Sequence, residues 1–179
     1  MLYNLHHAKK EIRKKRQAIL LEGYVDTISI WNAGIQYGVA TLGTSLTDQQ
    51  AVLLKRYADE VLINYDSDDA GQQAALRAID ILQKAGCTVK VLQMPQGLDP
   101  DDYIQQFGAD AFKREILNNA MTATAFKLQY VRKDYNLKDT SDRMNYLTKA
   151  LTIISDLKHA IEREHYLKSL AQEFNISYQ

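Results

Sequence analysis

Glu22, Asp66 and Asp68 each follow closely on a short apolar run, where a carboxylate has little structural business. Ala18-Ile19-Leu20-Leu21 leads into Glu22, and Val61-Leu62-Ile63-Asn64-Tyr65 leads into Asp66-Ser67-Asp68. Asp99 and Asp101 form a further group, a loop beyond Thr88–Gln93. If these runs are parallel strands of one sheet, their carboxyl ends share an edge, which is where open α/β sheets bind ligands. Carboxylates delivered to one edge repel each other unless they share a cation or a proton. Hard divalent ions such as magnesium take carboxylate oxygen and keep several waters. Two such ions about 3.5–4 Å apart can stabilise the attacking and leaving oxygens of a phosphoryl transfer.

Some of these acids have ordinary duties as well. Asp68 or Asp69 can cap the helix that follows, and Asp99 is a natural N-cap. Asp26 falls in a first helical turn, where its charge suits the helix dipole. Glu22, at the exit of an apolar strand, has no capping role. The functional reading therefore rests on Glu22 together with Asp66 and Asp68.

The elements that must position these groups alternate between strand and helix, the pattern of parallel βαβ units. Ala18–Leu21, Val39–Leu42, Val61–Tyr65 and Thr88–Gln93 read as strands. Tyr24 to Ala33 has helical spacing and ends at Gly34. Gly43 and Thr44 make a turn, and Thr47 with Gln50 forms a capping box. The Ala-rich stretch from Asp69 to Ala85 is helical and closes at Gly86, the place of a C′ glycine. Asp99-Pro100 reads as an N-cap followed by proline at the first helical position. Beyond about Tyr103 there is no β-rich run, and Phe107–Asn118, Thr122–Lys133, Ser141–Ser155 and Asp156–Phe174 all read as amphipathic helices. The expected fold is α/β, with a mostly parallel four-stranded sheet flanked by helices and then a helical appendage. The expected segments are 1–17 as a helical tail of a preceding subdomain, 18–105 as the α/β domain, and 106–179 as a helical bundle.

Composition narrows the class. The 179 residues are 46% apolar and 25% charged, with a net charge of +0. That is ordinary for a globular protein. No apolar run approaches the roughly 20 residues of a membrane span, and the N-terminus lacks a secretory pattern, so no membrane partner and a cytoplasmic home are expected. Cys87 is the single cysteine, which leaves no disulfide and no cysteine zinc site within the chain. Lys9, Lys10, Arg13, Lys14, Lys15 and Arg16 crowd one stretch, either a solvated helix face or a phosphate-backbone contact.

At its acidic blocks the sequence resembles a known family. Leu21-Glu22-Gly23-Tyr24-Val25-Asp26, then Val39-Ala40-Thr41-Leu42-Gly43-Thr44, then Tyr65-Asp66-Ser67-Asp68-Asp69-Ala70-Gly71 are similar to the Toprim motifs of DnaG-type primases, in the family's order. Met94-Pro95-Gln96-Gly97-Leu98-Asp99-Pro100-Asp101 resembles that family's next block, and Leu2-Tyr3-Asn4-Leu5 the segment before the first. The resemblance implies synthesis of RNA primers from nucleoside triphosphates on a single-stranded DNA template, with magnesium or manganese. It assigns the catalytic and metal role to Glu22, Asp66 and Asp68, further metal-site acids to Asp26, Asp99 and Asp101, and nucleotide-phosphate contact to Gly43, Thr44 and Arg77. It also implies a zinc module and a basic subdomain before residue 1, and a domain for the replicative helicase after residue 179. The sequence departs from the pattern at Ser67, Asp69 and Gln72, which leaves the carboxylates intact.

Three other readings stay open at this level. Asp66-Ser67-Asp68 mimics the nucleophile motif of haloacid-dehalogenase-like phosphatases, but Ala70 stands where that motif usually has threonine or valine, and Glu22 goes unexplained. Another Toprim enzyme, a topoisomerase or nuclease, would share the acids. A non-catalytic module that holds a metal-bound nucleotide would share them too.

Overall fold

The computed structural model describes residues 1–177. Contacts divide the chain into two compact units, Met1–Ala123 and a second from Thr124 onward.

The first unit opens with α1 (Leu5–Lys15), which buries Ala8 and Ile12 one turn apart and carries Arg13, Lys14 and Lys15 in its last turn. Cations there suit the helix dipole. Arg16 then turns the chain with a left-handed backbone, φ 55°. Its guanidinium donates to both Asp59 carboxylate oxygens at 3.0 and 2.9 Å, and to the Tyr57 carbonyl at 3.0 Å. The basic run is thus a helix face, and part of it is tied down. Arg13 also lies over the Tyr57 ring and Lys15 over the Tyr37 ring.

The sheet follows. β1 (Gln17–Leu21), β2 (Gly38–Ala40), β3 (Glu60–Asn64), β4 (Thr88–Val91) and β5 (Met121–Thr122) lie in the order β2-β1-β3-β4-β5. The first four are parallel, and β5 pairs antiparallel with β4. The central strands bury four residues each, Ala18–Leu21 and Val61–Asn64. Such continuous buried runs belong to strands covered on both faces.

Connections decide which helices cover which face. The step from β1 to β2 through α2 (Tyr24–Asn32) moves outward. The step from β2 to β3 through α3 (Asp48–Lys55) moves back past β1. Right-handed crossovers therefore place α2 and α3 on opposite faces. α4 (Asp69–Lys84) continues in the same direction and joins α3, which it contacts. α5 (Pro100–Phe107) contacts α2 on the other face.

Caps follow the sequence. Thr47 and Gln50 form the capping box of α3. The Asp68 side chain accepts the Gly71 N–H at 2.7 Å, and the Asp99 side chain accepts that of Asp102 at 2.7 Å.

Three details correct the sequence reading. The sheet has a fifth strand, because Met121 and Thr122 pair with Val91 and Lys90. Two residues give no period to read, so only tertiary pairing reveals them. The single helix expected over Phe107–Asn118 is broken at Gly108, φ 87°. It becomes α6 (Ala109–Ala111), a π-helical turn (Phe112–Ile116) and a 3₁₀ turn (Leu117–Asn119), with Phe112 and Ile116 buried. The expected second strand also ends early, because Leu42 takes a left-handed conformation, φ 62°.

The second unit contains most of α7 (Ala123–Arg132), with α8 (Thr140–Ser155) and α9 (Ala160–Glu173). Tyr146, Leu147, Ala150, Ile154, Leu170 and Phe174 form its core. Arg143 spans α8 to the end of α9, donating to the Phe174 carbonyl at 2.7 Å and lying 5.2 Å from its ring centroid. Among the described residues, no helix is long and apolar enough to cross a membrane.

One contact governs how α4 meets the acidic loop. A Cβ on Gly71 would sit 2.3 Å from the Asp66 carbonyl oxygen, which is backbone and cannot yield by rotation. Overpacking of this kind typically costs about 1–3 kcal/mol. Gly71→Ala is expected to lose stability in that range, read as a lowered urea midpoint at an unchanged slope.

Candidate active site

Glu22 is the first residue beyond β1, and Asp66 the second beyond β3. Because Leu21 lies opposite both Ala40 and Asn64, the next step along puts Thr41, Glu22 and Tyr65 in one row. Alternation sends their side chains to one face. Glu22, Thr41 and Tyr65 line a common cavity with Ala74, Arg77 and Ala78 of α4, so this is the α4 face.

The carboxylates are joined through the backbone. The Asp66 N–H donates to Glu22 Oε1 at 3.1 Å, and the Asp101 N–H donates to Asp26 Oδ1 at 3.4 Å. Asp68 and Asp99 are the N-caps of α4 and α5, as their positions predicted. Asp101 also accepts from the Gln105 side chain at 2.6 Å.

Electrostatics bind the group into one site. Burial pushes the Glu22 carboxyl above its ordinary value, the Asp66 N–H opposes this, and the charges of Asp66 and Asp68 add to the rise. Asp66 is raised by burial, then by Asp68 and Asp99. Asp26 reaches about 6, through burial first and then the charge of Asp99, with Asp66 and Asp101 adding and the Asp101 N–H opposing. Asp66 is therefore the pivot. It feels Asp68 and Asp99, and its own charge acts on Glu22 on one side and on Asp26 on the other. None of Glu22, Asp26, Asp66, Asp68, Asp99 and Asp101 makes an ion pair among the described residues.

This donor set fits a hard divalent cation, being all oxygen and lacking a cationic partner. Among the described residues, no three His, Cys, Asp or Glu side chains already form a metal cage. Magnesium needs none, since it usually binds through one or two carboxylates, several waters and substrate phosphates.

Gly43, Thr44 and Arg77 fall together in the cavity beside Glu22, so Arg77 lies on the same side of the sheet edge as the turn. Sequence reasoning missed Tyr65 and Thr41. Burial, followed by the Glu22 charge, raises the Tyr65 phenol, with the neighbouring Thr41 side chain opposing the rise. The signal was present in strand register: residues one step past paired positions share a face.

Comparison with known proteins places the chain in a family. The Toprim-like family matches residues 19–104, which contain all six acids. The DNA primase of Halalkalibacterium halodurans is 47% identical over 177 residues, covering 99% of this chain and 30% of the relative. That of Geobacillus stearothermophilus is 44% identical, covering 99% and 29%. The chain belongs to the bacterial DnaG-type primase family. It spans about 30% of the length of these curated primases. Among solved structures, the Escherichia coli primase catalytic core is 30% identical with a TM-score of 0.78, over 100% of this chain and 58% of that one. A DnaG catalytic domain bound to single-stranded DNA matches with a TM-score of 0.79 and 30% identity, over 98% of this chain and 56% of that one. The Toprim-like match implies use of a divalent metal.

One further match bears on the helicase. The family described as the DnaB-helicase binding domain of primase matches residues 124–178, so a segment of that kind lies within this chain, where the sequence reading expected one only beyond residue 179. Amphipathic periodicity shows helices but not what they contact, so this segment could be read only as a helical bundle.

The raised carboxyl of Asp26 has a measurable consequence. Its value in the fold, about 6, lies above the ordinary 3.8. The fold therefore favours its protonated form, and this stabilisation is full below pH 4 or so and is lost as pH rises through about 6. In metal-free protein at pH 7.5, Asp26→Asn is expected to melt higher than the wild type, with the difference vanishing near pH 4. Thermal melts across that range check it.

Proposed function

We propose that this chain carries the nucleotidyl-transfer site of a primase, which joins ribonucleotides on a single-stranded DNA template at the replication fork. The observation that supports it most directly is Glu22, half-buried at the end of β1 and held by the Asp66 N–H at 3.1 Å. Glu22, Asp66 and Asp68 would hold magnesium or manganese, with Asp26, Asp99 and Asp101 as outlying acids. The bound ion would supply positive charge for the attacking hydroxyl and the departing phosphates.

The protein's own groups do the rest. The Asp66 N–H fixes one Glu22 oxygen and, among the described residues, leaves the other without a hydrogen bond from the protein. Asp68 spends one oxygen on the Gly71 N–H and keeps its second. The raised carboxyl of Glu22 places it nearer to taking a proton from an incoming hydroxyl than an exposed glutamate would be.

The second unit, by its family match, is proposed to contribute to contact with the replicative helicase. The 179-residue chain alone is proposed to make no primers. A template strand needs a positive groove, and this chain has a net charge of +0. Primer assays on single-stranded DNA check that, and robust synthesis by the chain alone would overturn it.

The metal assignment has its own test. Manganese binding, followed by the loss of free-ion EPR signal, is expected to weaken at least about tenfold in Glu22→Gln, within the range seen when groups supporting a metal are removed. Circular dichroism should be unchanged. Equal affinity in wild type and mutant would sink the assignment.

A further inference from the structure

Asn64 is the last residue of β3, 2% exposed at the edge where the acids gather. Among the described residues, its Nδ2 and Oδ1 are the buried side-chain atoms without a hydrogen-bond partner. An amide carries two N–H donors and an oxygen with two lone pairs. Buried and unpaired, these groups cost free energy that an apolar side chain of similar shape would avoid. The rest of the row is apolar: Leu21 lies opposite Asn64 on β1, and Ala40 lies opposite Leu21 on β2.

Register decides which way the amide points. Side chains alternate along a strand, and residues paired across parallel strands share a face, so Asn64 points with Leu21 and Ala40. A Cβ on Gly38, two steps before Ala40, would meet the Ile30 side chain of α2 and that of Leu21. Asn64 therefore faces the side of α2 and α5, away from Tyr65 and α4. α2 begins at this edge, two residues after Glu22. Its first turn meets that of α5 where the Asp101 N–H donates to Asp26 Oδ1 at 3.4 Å. Asn64 supplies the sheet floor at the level of these turns.

The first turn of α2 answers with polar groups of its own. Thr27 is 1% exposed, and its hydroxyl donates to the Gly23 carbonyl at 2.8 Å, which leaves its oxygen free to accept. Asp26 beside it is half-buried. Buried waters typically make about three hydrogen bonds to polar groups that are otherwise unsatisfied. One water here would make three, accepting from the Asn64 amide and donating to the Asp26 carboxylate and the Thr27 oxygen.

We propose that Asn64 is a positioning residue for the acidic edge, holding the Asp26 carboxylate in place from below through one buried water. Its effect on the cation rests on the nucleotidyl-transfer reading, whereas the water link does not. Groups that orient metal-binding side chains from behind typically change metal affinity about tenfold to a hundredfold when removed.

The test uses the 179-residue chain, with manganese affinity read by EPR and stability by urea. Asn64→Leu fills the space and removes both unpaired atoms. It is expected to raise the urea midpoint while weakening manganese about tenfold. A residue with a merely structural role would not move the two in opposite senses. Asn64→Ala should lose affinity by a similar factor, and Asn64→Ser, which differs from it by one hydroxyl able to hold the water, should recover part of the loss. In metal-free wild type, NMR should show a cross-peak between the Asn64 side-chain amide protons and a long-lived water, weakened in Asp26→Ala.

Wild-type manganese affinity in Asn64→Leu would overturn the positioning role, as would equal affinities in Asn64→Ala and Asn64→Ser. Absence of the cross-peak, or a cross-peak indifferent to Asp26→Ala, would overturn the water link even if no Asn64 variant folds. If manganese fails to bind the wild type, the metal reading falls by itself, and the cross-peak decides the link between Asn64 and Asp26 alone.

Discussion

Backbone N–H groups aimed at carboxylates are the interaction on which the acidic edge depends. Those of Asp66, Gly71, Asp101 and Asp102 each donate to an acid, at 3.1, 2.7, 3.4 and 2.7 Å. Each is fixed by an element that the fold supplies for other reasons: the end of a buried strand, or the first turn of a helix. Hydrogen bonds to an ionised group hold it charged, and here they work against burial and against the repulsion of neighbouring acids. The raised carboxyl of Asp26 shows that they do not fully offset it. The edge remains short of positive charge, which is the condition for taking up a cation.

That arrangement also explains residues at which this chain differs from the common family pattern. Ser67, where a glycine is usual, accepts the Gly97 N–H on its hydroxyl at 3.4 Å and the Gln72 side chain on its carbonyl at 3.0 Å. The acidic loop is thereby tied both to the loop before α5 and to the first turn of α4. Gln72, where a basic residue is common, serves this local bond. Positive charge on α4 is supplied about a turn and a half later, at Arg77.

Much of this could be read from the chain alone, for definite reasons. Strands β1 and β3 are apolar runs bounded by breaks, and the caps Thr47, Asp68 and Asp99 satisfy helix ends through their own side chains. These are local effects, and local effects leave local signals. The carboxylates were legible because strand ends are also sequence landmarks. The row Thr41–Glu22–Tyr65 was not, since it depends on the register between strands far apart in the chain. Nor were β5 and the π-helical turn, whose residues are placed by packing of Phe112 and Ile116 and by pairing with β4. The cavity joins three segments and has no single stretch of sequence to announce it.

The basic helix α1 has a consequence for how this chain would respond to ionic strength. Of the six basic residues in its run, Arg13 and Lys15 rest on tyrosine rings and Arg16 is paired with Asp59. Lys9, Lys10 and Lys14 make no such contact among the described residues. Each phosphate neutralised on a single strand releases about 0.7 of a counterion. Six free cations would give a logarithmic salt slope near −4, whereas three give about −2. Any nucleic acid on this helix would be held with the shallow salt dependence of a guide rail rather than the steep one of an anchor.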